Sequence, residues 1–475
     1  MTSDRTANNP TDTETPSALT WKASGDAIPL RVALRTWFAI SLQTFGGPAG
    51  QIAVMQRALV DEKQWIGQKR FLHALNYCML LPGPEAQQLA IYTGWLLNGT
   101  RGGIAAGTLF VLPGVVAMLA LSGIYVAFGD TTAVTAIFAG LAPAVVAIVA
   151  QAVHRVSSRA LASRALVLLA VASFLALSVF SIPFPVVIIA AAATGWLIGR
   201  ARPDALQSKT PARTTDTDET PPLIPDDVLH TERPTARRSA TVLAIGIAVW
   251  GLPLLAVALL TGTDSVFTTQ GMFFTGTALV TFGGAYAVLA YVAQRAVEVF
   301  GWLAPGEMVR GLALAETTPG PLIMVVQFVA FVGAFRNPGG MDPWLAGTLG
   351  ALITTWVTFV PCFVFVFLGA PYIEQLRNNK ALSAALTGLT AAVVGVIANL
   401  ALYFAFHTLF ATTTALHWGP IHLELPNLGT WQPVSTAITL VALILVFALK
   451  WSVLRTLAVC ASLGAAAALA GLPLP

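Results

Sequence analysis

Long apolar runs separated by short polar stretches fill most of this chain. The runs fall at about 31–57, 68–98, 102–128, 131–153, 162–180, 182–199, 240–261, 271–294, 303–335, 343–370, 381–409, 431–449 and 452–472. About 20 apolar residues in a helix span the ~30 Å of hydrocarbon in a bilayer. The pattern therefore predicts an all-α polytopic membrane protein with about 13 transmembrane helices.

Two segments interrupt this pattern, and both are polar. Residues 1–30 form a polar N-terminal tail without the basic start of a cleaved signal peptide. Residues 200–239 are rich in Pro, Thr and Asp, which is typical of a disordered linker. The chain then divides into the tail, a first repeat at 31–199, the linker and a second repeat at 240–475.

The two repeats share a motif in which glycine and proline break the apolar runs. Thr44-Phe45-Gly46-Gly47, Trp65 and Pro82-Gly83-Pro84 recur 237 residues later as Thr281-Phe282-Gly283-Gly284, Trp302 and Pro319-Gly320-Pro321. Beyond the motif, Pro113 and Pro361 match at an offset of 248. An odd number of crossings between the two copies predicts an inverted-topology repeat, which in transporters surrounds a midplane binding site.

Basic residues in short loops indicate orientation, because Lys and Arg favour the cytoplasm. Most loops agree with a cytoplasmic N-terminus, a cytoplasmic linker and a C-terminus on the periplasmic side. The loop at 58–70 disagrees, since it would be external yet holds Lys63, Lys69 and Arg70. Either segment 68–98 re-enters instead of spanning, or these residues attract an anion.

The breaks predict an anion site. A helix that restarts at membrane depth presents free N–H groups and a positive dipole end. Proline suits the first helical position, and glycine lets backbone approach a ligand. The alternative is that the breaks are only kinks and close helix contacts. Candidate substrate-binding residues are Gly46, Gly47, Arg57, Pro82, Gly83, Pro84, Gln88, Gly283, Gly284, Arg295, Thr318, Pro319, Gly320, Pro321 and Gln327.

Ionisable residues near the breaks are candidates for proton coupling. Glu85 and Glu316 flank the two Pro-Gly-Pro sequences, and His73 lies before the first of them. Ionisable groups at membrane depth are costly and usually functional, and burial favours the neutral, proton-carrying form of a carboxyl. The alternatives are helix capping or an ion pair for each Glu, and simple packing for His73.

The composition and the absence of several motifs exclude some classes of function. Only 10% of residues are charged, against about 25% in soluble proteins. The chain shows no basic, aromatic-interleaved patch for nucleic acid, no nucleotide-binding loop and no metal-ligand spacing. Its three cysteines, Cys78, Cys362 and Cys460, lie far apart in apolar runs and indicate neither a disulfide nor a redox pair. We therefore expect a transporter without cofactor or metal, and not an enzyme.

Three stretches resemble the chromate ion transporter family. They are Phe45 to Gln51 with Phe71 to Leu89 in the first repeat, and Gly311 to Met324 in the second. The resemblance implies a long two-domain member, with thirteen spans and oppositely oriented halves in the bacterial inner membrane. It also implies chromate export that confers chromate resistance, driven by membrane potential or by a proton gradient as an antiporter. Sulfate is an alternative substrate, since it is also a tetrahedral dianion. For the oligomeric state, a homodimer is an alternative to a monomer.

Overall fold

Helices make up nearly all of the regular structure. The computed structural model describes residues 28–129, 131–201, 235–282, 285–372 and 379–473, so Gly283 and Gly284 lie outside the described residues. The first half contains α1 (Leu30–Ser41), α2 (Gly47–Gln56) with a π-helical end (Arg57–Glu62), α3 (Gln68–Cys78), α4 (Glu85–Phe128), α5 (Thr132–Ala160), α6 (Arg164–Ser178) and α7 (Phe184–Ala201).

The second half repeats this order after one additional helix, α8 (Ala236–Thr261). It continues with α9 (Val266–Leu279), α10 (Ala285–Gln294) with a π-helical end (Arg295–Val299), α11 (Glu307–Thr317), a 3₁₀ turn (Leu322–Met324), α12 (Val325–Arg336) and α13 (Pro343–Gly369) with a 3₁₀ end (Ala370–Tyr372). It ends with α14 (Lys380–Leu409), β1 (Thr413–Trp418), β2 (Ile421–Pro426), a 3₁₀ turn (Leu428–Thr430), α15 (Pro433–Leu443) with a π-helical end (Ile444–Ala448), and α16 (Val453–Leu469).

The lengths of these helices confirm the all-α polytopic class. Among the described residues, six helices are long and apolar enough to cross a membrane. They are α4, α5, α7, α8, α13 and α14, and shorter apolar helices include α6, α12, α15 and α16. The number of thirteen spans is not confirmed, because several predicted runs are divided into short helices.

The predicted run at 68–98 folds back at the Pro82–Pro84 break, because the ring of Tyr77 before the break lies 5.4 Å from that of Tyr92 after it. It contains α3, the Pro82–Pro84 break and the first arm of α4. At Asn98 and Gly99 the backbone leaves helical geometry and α4 doubles back. Its two arms then touch so closely that a Cβ on Gly102 would lie 2.3 Å from the carbonyl oxygen of Gly94. Glycine at Gly99, with φ +61°, permits this second reversal, which lies between the predicted runs at 68–98 and 102–128.

The predicted run at 303–335 is also a hairpin. Glu307 begins α11 and Arg336 ends α12, yet the Arg336 guanidinium binds the Glu307 carboxylate through two contacts of 2.7 and 2.9 Å. The Tyr125 hydroxyl, from α4, donates to the same carboxylate at 2.6 Å. Because the two ends of the segment meet, the chain must reverse at the Pro319–Pro321 break, which corrects the prediction of a single crossing.

A similar reversal surrounds the second Phe-Gly-Gly break. The ring of Phe273 on α9 lies 5.5 Å from that of Tyr291 on α10 and 5.1 Å from that of Phe300. Phe274 stacks on Trp302 at 6.0 Å. Residues on both sides of the break therefore lie side by side, and α9 and α10 form the two arms of a V filled by aromatic rings.

Helices of the two halves interleave in the packing. The second arm of α4 contacts α12 and α13, while α5 packs against α14, α15 and α16, and α14 against α6 and α7. Glycines allow the closest approaches: Gly140 meets the backbone at Cys460, and Gly195 meets Gly388. The broken helices thus form one group and α5–α7 with α14–α16 another, each built from both repeats.

A β-hairpin stands at one end of the second group. Its strands pair antiparallel from Thr413 opposite Pro426 to Trp418 opposite Ile421. The N–H of His422 donates to the carbonyl oxygen of Val179 at 2.7 Å, which fixes the hairpin to the connection between α6 and α7.

Candidate anion site at the crossed helix breaks

The breaks of the two repeats bind each other across the molecule. The N–H of Gly83 donates to the carbonyl oxygen of Thr281 at 2.7 Å. In the same way, the N–H of Gly320 donates to the carbonyl oxygen of Thr44 at 3.0 Å. Each Pro-Gly-Pro break is therefore paired with the Phe-Gly-Gly break of the other repeat, and backbone polar groups at both are satisfied.

Glycine is required where these breaks touch the long helices. Gly83 and Gly320 have φ values of +121° and +110°, which L side chains rarely adopt. A Cβ on Gly83 would lie 2.8 Å from the Cys362 sulfur on α13, and one on Gly320 would lie 3.2 Å from the Cα of Gly114 on α4. Gly114 and Cys362 are 248 residues apart, so the same contact is made twice by equivalent positions.

Buried glutamine amides hold the carbonyl groups of the Pro-Gly-Pro breaks. The side chain of Gln88 donates to the carbonyl oxygen of Pro82 at 2.7 Å, and that of Gln51 donates to the carbonyl oxygen of Gly320 at 2.5 Å. Both glutamines are almost fully buried. The structure thus places the predicted residue Gln88 at its break, and adds Gln51.

One amide at the first break has no protein partner. Gln87 is fully buried, and neither its Oε1 nor its Nε2 is hydrogen-bonded by any described residue. It lies in the first turn of α4, where the N–H groups have no partner within the helix. A buried unpaired amide costs about 1–3 kcal/mol, so this position favours a bound polar ligand.

At the second break a buried carboxyl takes part in the contact between the repeats. Glu316 is 1% exposed and accepts a hydrogen bond of 2.5 Å at Oε1 from the Tyr286 hydroxyl. Its Oε2 has no hydrogen-bond partner among the described residues. The same hydroxyl faces Gly47, where a Cβ would lie 3.7 Å away. Tyr286 therefore joins the first Phe-Gly-Gly break to the second Pro-Gly-Pro break.

A cation on α5 reaches this contact from the other helix group. Arg155 interacts electrostatically with both Glu316 and Tyr286, and its Nη2 donates to Gln151 at 3.1 Å. It is only half-buried. A guanidinium within electrostatic range of a buried carboxyl attracts that carboxylate, or an oxyanion in its place.

Several predicted site residues lie elsewhere. Arg57 is exposed and begins the π-helical end of α2, about 15 Å along the helix from Gly47 at 1.5 Å per residue. Arg295 lies over the Phe300 ring at 5.2 Å, and His73 is on the exposed side of α3. The Gln327 amide is bound to the carbonyl oxygen of Val115 at 3.0 Å. The structure does not bring Arg57, Arg295 or His73 to the Gly83 or Gly320 contacts, whereas Gln327 binds the residue after Gly114, on which Gly320 packs.

Sequence reasoning missed the residues that have no counterpart in the other repeat. Tyr286 aligns with Ala49 at the 237-residue offset, so a search for matched positions passes over it. Arg155 served only as a sign of orientation, because it lies near a predicted loop. Gln87 had a detectable signal, since a third polar residue beside Glu85 and Gln88 is unusual at membrane depth.

Comparison with known proteins identifies the family. The model of the chromate transporter family matches residues 32–196 and 269–469, which is most of the chain. The chain belongs to the chromate transporter family. It is 32% identical over 385 residues to the chromate transport protein of Pseudomonas aeruginosa, covering 79% of this chain and 82% of that protein. It is 28% identical over 387 residues to the chromate transport protein of Cupriavidus metallidurans, with 82% and 85% covered. No solved structure matches it.

We expect the crossed breaks to be intolerant of a single added methyl group. In this family member, Gly320→Ala places a Cβ at φ +110° and against Gly114, which costs about 1–2 kcal/mol for the backbone alone. It should lose most chromate transport, measured in membrane vesicles at equal protein content. Gly251→Ala on α8 is the control, because a Cβ there meets open space. Wild-type transport by Gly320→Ala would contradict the geometry of the break.

Proposed function

We propose that this protein is a secondary transporter that exports chromate across the bacterial inner membrane and confers chromate resistance, with the anion bound at the crossed breaks. The observation that carries the proposal is the convergence of breaks from both repeats beside buried polar atoms that lack protein partners, in a member of the chromate transporter family. Transport, and not catalysis, is also what the names of its relatives describe.

The hairpins imply a membrane topology different from thirteen crossings. In our proposal, α1–α2, α3 with the first arm of α4, α9–α10 and α11–α12 enter and leave the bilayer on one side. The second arm of α4, α5–α8 and α13–α16 cross it. The first two hairpins open to the cytoplasm and the last two to the periplasm, so the halves are inverted repeats.

This topology removes the conflict over basic residues. The loop at 58–70, with Lys63, Lys69 and Arg70, moves to the cytoplasmic side together with the N-terminus and the linker. The β-hairpin and the C-terminus lie on the periplasmic side. Positively charged loops then face the cytoplasm, as the positive-inside rule expects.

The chemistry of the breaks suits an oxyanion without a metal. Free N–H groups in the first turn of α4 and the Gln87 amide can donate to oxygen atoms, and the dipole end of the helix favours negative charge. Arg155 adds a positive charge from α5, on the side of the group formed by α5–α7 and α14–α16.

Membrane potential favours the proposed direction. Moving a charge through 100 mV is worth about 2.3 kcal/mol, so a dianion leaves a cell with a negative interior downhill. Glu316 is our candidate for proton coupling, because its ionised form competes for Arg155 and repels a dianion, whereas its neutral form does neither. Proton binding therefore regulates occupancy of the site by the anion.

The transport proposal is tested with labelled chromate and energised everted vesicles. Export in the cell becomes accumulation in the vesicle lumen, which we expect to collapse when the membrane potential is dissipated. Sulfate in excess reports selectivity. Vesicles that contain the folded protein but accumulate no more chromate than vesicles without it would exclude export.

We expect Glu316→Gln to remove the pH dependence of anion binding. In the wild type, the KM for chromate should rise with pH as Glu316 ionises, and the neutral amide of the variant should keep it constant. Competition by sulfate, whose charge is constant in this range, separates titration of the protein from titration of chromate. Asp264→Asn, which removes an exposed carboxylate in the connection between α8 and α9, is the control and should keep the wild-type slope. A wild-type slope in Glu316→Gln would exclude this role.

We expect cysteines placed on opposite faces to verify the topology. Lys63→Cys and Leu428→Cys are both at exposed positions, while the native cysteines are buried. An impermeant maleimide added to intact spheroplasts should label Leu428→Cys, and should label Lys63→Cys only after permeabilisation. Thirteen crossings place both outside, so equal labelling of both in intact spheroplasts would contradict the hairpin topology.

A further inference from the structure

A cavity of about 580 Å³ lies between the two helix groups on the side of the β-hairpin. Its walls come from α10, α14, the start of α7 and both strands. Liquid water occupies about 30 Å³ per molecule, so the space accommodates several waters. The wall includes polar side chains at several depths, among them Gln294, Asn399 and Ser178.

The cavity leads along α10 towards Glu316. Ala290, Tyr291, Gln294 and Glu298 line it. Tyr286 precedes Ala290 by four residues, so it lies on the same face of α10, about 6 Å deeper. Its hydroxyl reaches Glu316, whose Oε2 is buried without a hydrogen-bond partner among the described residues. The cavity wall at Ala290 is thus about one helical turn from the tyrosine that binds this carboxyl.

Protonatable groups collect where the cavity meets the β-hairpin. A second cavity of about 380 Å³ adjoins the first, and the two share Glu298, Tyr403, Thr413 and Glu424 as wall residues. Glu298 interacts electrostatically with both Glu424 and His407. We call Glu298, His407 and Glu424 the mouth cluster. It lies where the two cavities meet.

The hydrogen bonds of the mouth cluster define a place for one proton. The Nδ1 of His407 lies 2.9 Å from the carbonyl oxygen of Tyr403, which can only accept, so Nδ1 carries a hydrogen. Nε2 faces the Glu424 carboxylate at 3.5 Å. Thr413 donates to the same carboxylate at 2.6 Å. A proton on Nε2 therefore lies between the imidazole and the carboxylate.

The charge at the mouth suits protons better than anions. The titratable groups that line the two cavities come from three elements: Tyr291 and Glu298 from α10 and its π-helical end, Tyr403 and His407 from α14, and His422 and Glu424 from β2. No Lys or Arg is among the described lining residues. Two carboxylates without a resident cation repel a dianion and attract protons.

We propose that this cavity is the proton path between the periplasmic side and Glu316, and that the mouth cluster is its proton-loading site. The inference rests on the proposed transport function and deepens it. It assigns the proton and the anion different approaches: the proton passes along α10 from the β-hairpin, and the anion reaches the breaks past Arg155.

The loading site is tested by setting the pH on each side of everted vesicles independently. The lumen corresponds to the periplasmic side, and we expect wild-type chromate accumulation to respond to lumenal pH. The double variant Glu298→Gln, Glu424→Gln should lose this response while it keeps the response to bath pH. Asp264→Asn removes an exposed carboxylate outside the cavity walls and should behave as wild type. An unchanged lumenal response in the double variant would overturn the proposal.

The path itself is tested by a measurement that does not depend on chromate. Ala290→Cys places a thiol on the cavity wall, and an impermeant thiol reagent applied from the β-hairpin side should modify it, with a rate that Glu298→Arg changes. Leu428→Cys, exposed on the same side, should react regardless of that charge. If Ala290→Cys does not react, the cavity is not a path. If it reacts and the wild type moves no chromate, the transport function fails and the path stands.

Discussion

The structure depends on one constraint, that backbone polar groups exposed by a helix break inside a membrane must find partners within the protein. Hydrocarbon offers no hydrogen bonds, so irregular backbone is tolerated only where protein or a water-filled cavity surrounds it. Here the N–H groups of Gly83 and Gly320 are satisfied by carbonyl groups from the opposite repeat, and Gln51 and Gln88 satisfy two carbonyl groups. Each repeat thus completes the other.

This mutual dependence explains why the two repeats are not separate domains. Gly83 packs on α13, and Gly320 packs on the second arm of α4. The long helix that follows each Pro-Gly-Pro hairpin therefore supports the break of the other repeat. The ion pair between the buried Glu307 carboxylate and the exposed Arg336 guanidinium, joined by Tyr125 from the first repeat, closes one hairpin in the same manner.

The backbone is nearly symmetric, but the side chains that carry chemistry are not. Glu316 and Tyr286 align with Met79 and Ala49, and Arg155 aligns with Tyr403 at the longer offset. The second break therefore holds a carboxyl and a hydroxyl, while the first holds an unpartnered amide at Gln87. In our proposal, these unequal side chains provide separate places for an anion and a proton where the breaks cross.

The sequence alone determined the membrane class, the repeat and the positions of the breaks, because hydrophobic length and helix-breaking residues act locally. It also pointed to Glu316, Gly320 and Gln88. It did not determine that the runs at 68–98 and 303–335 fold back, since periodicity is the same for a crossing helix and for two arms of a hairpin. Nor did it bring Arg155 and Tyr286 to Glu316, or His407 to Glu424. Those contacts join residues from helices distant in sequence, so only the packing of the two repeats against each other decides them.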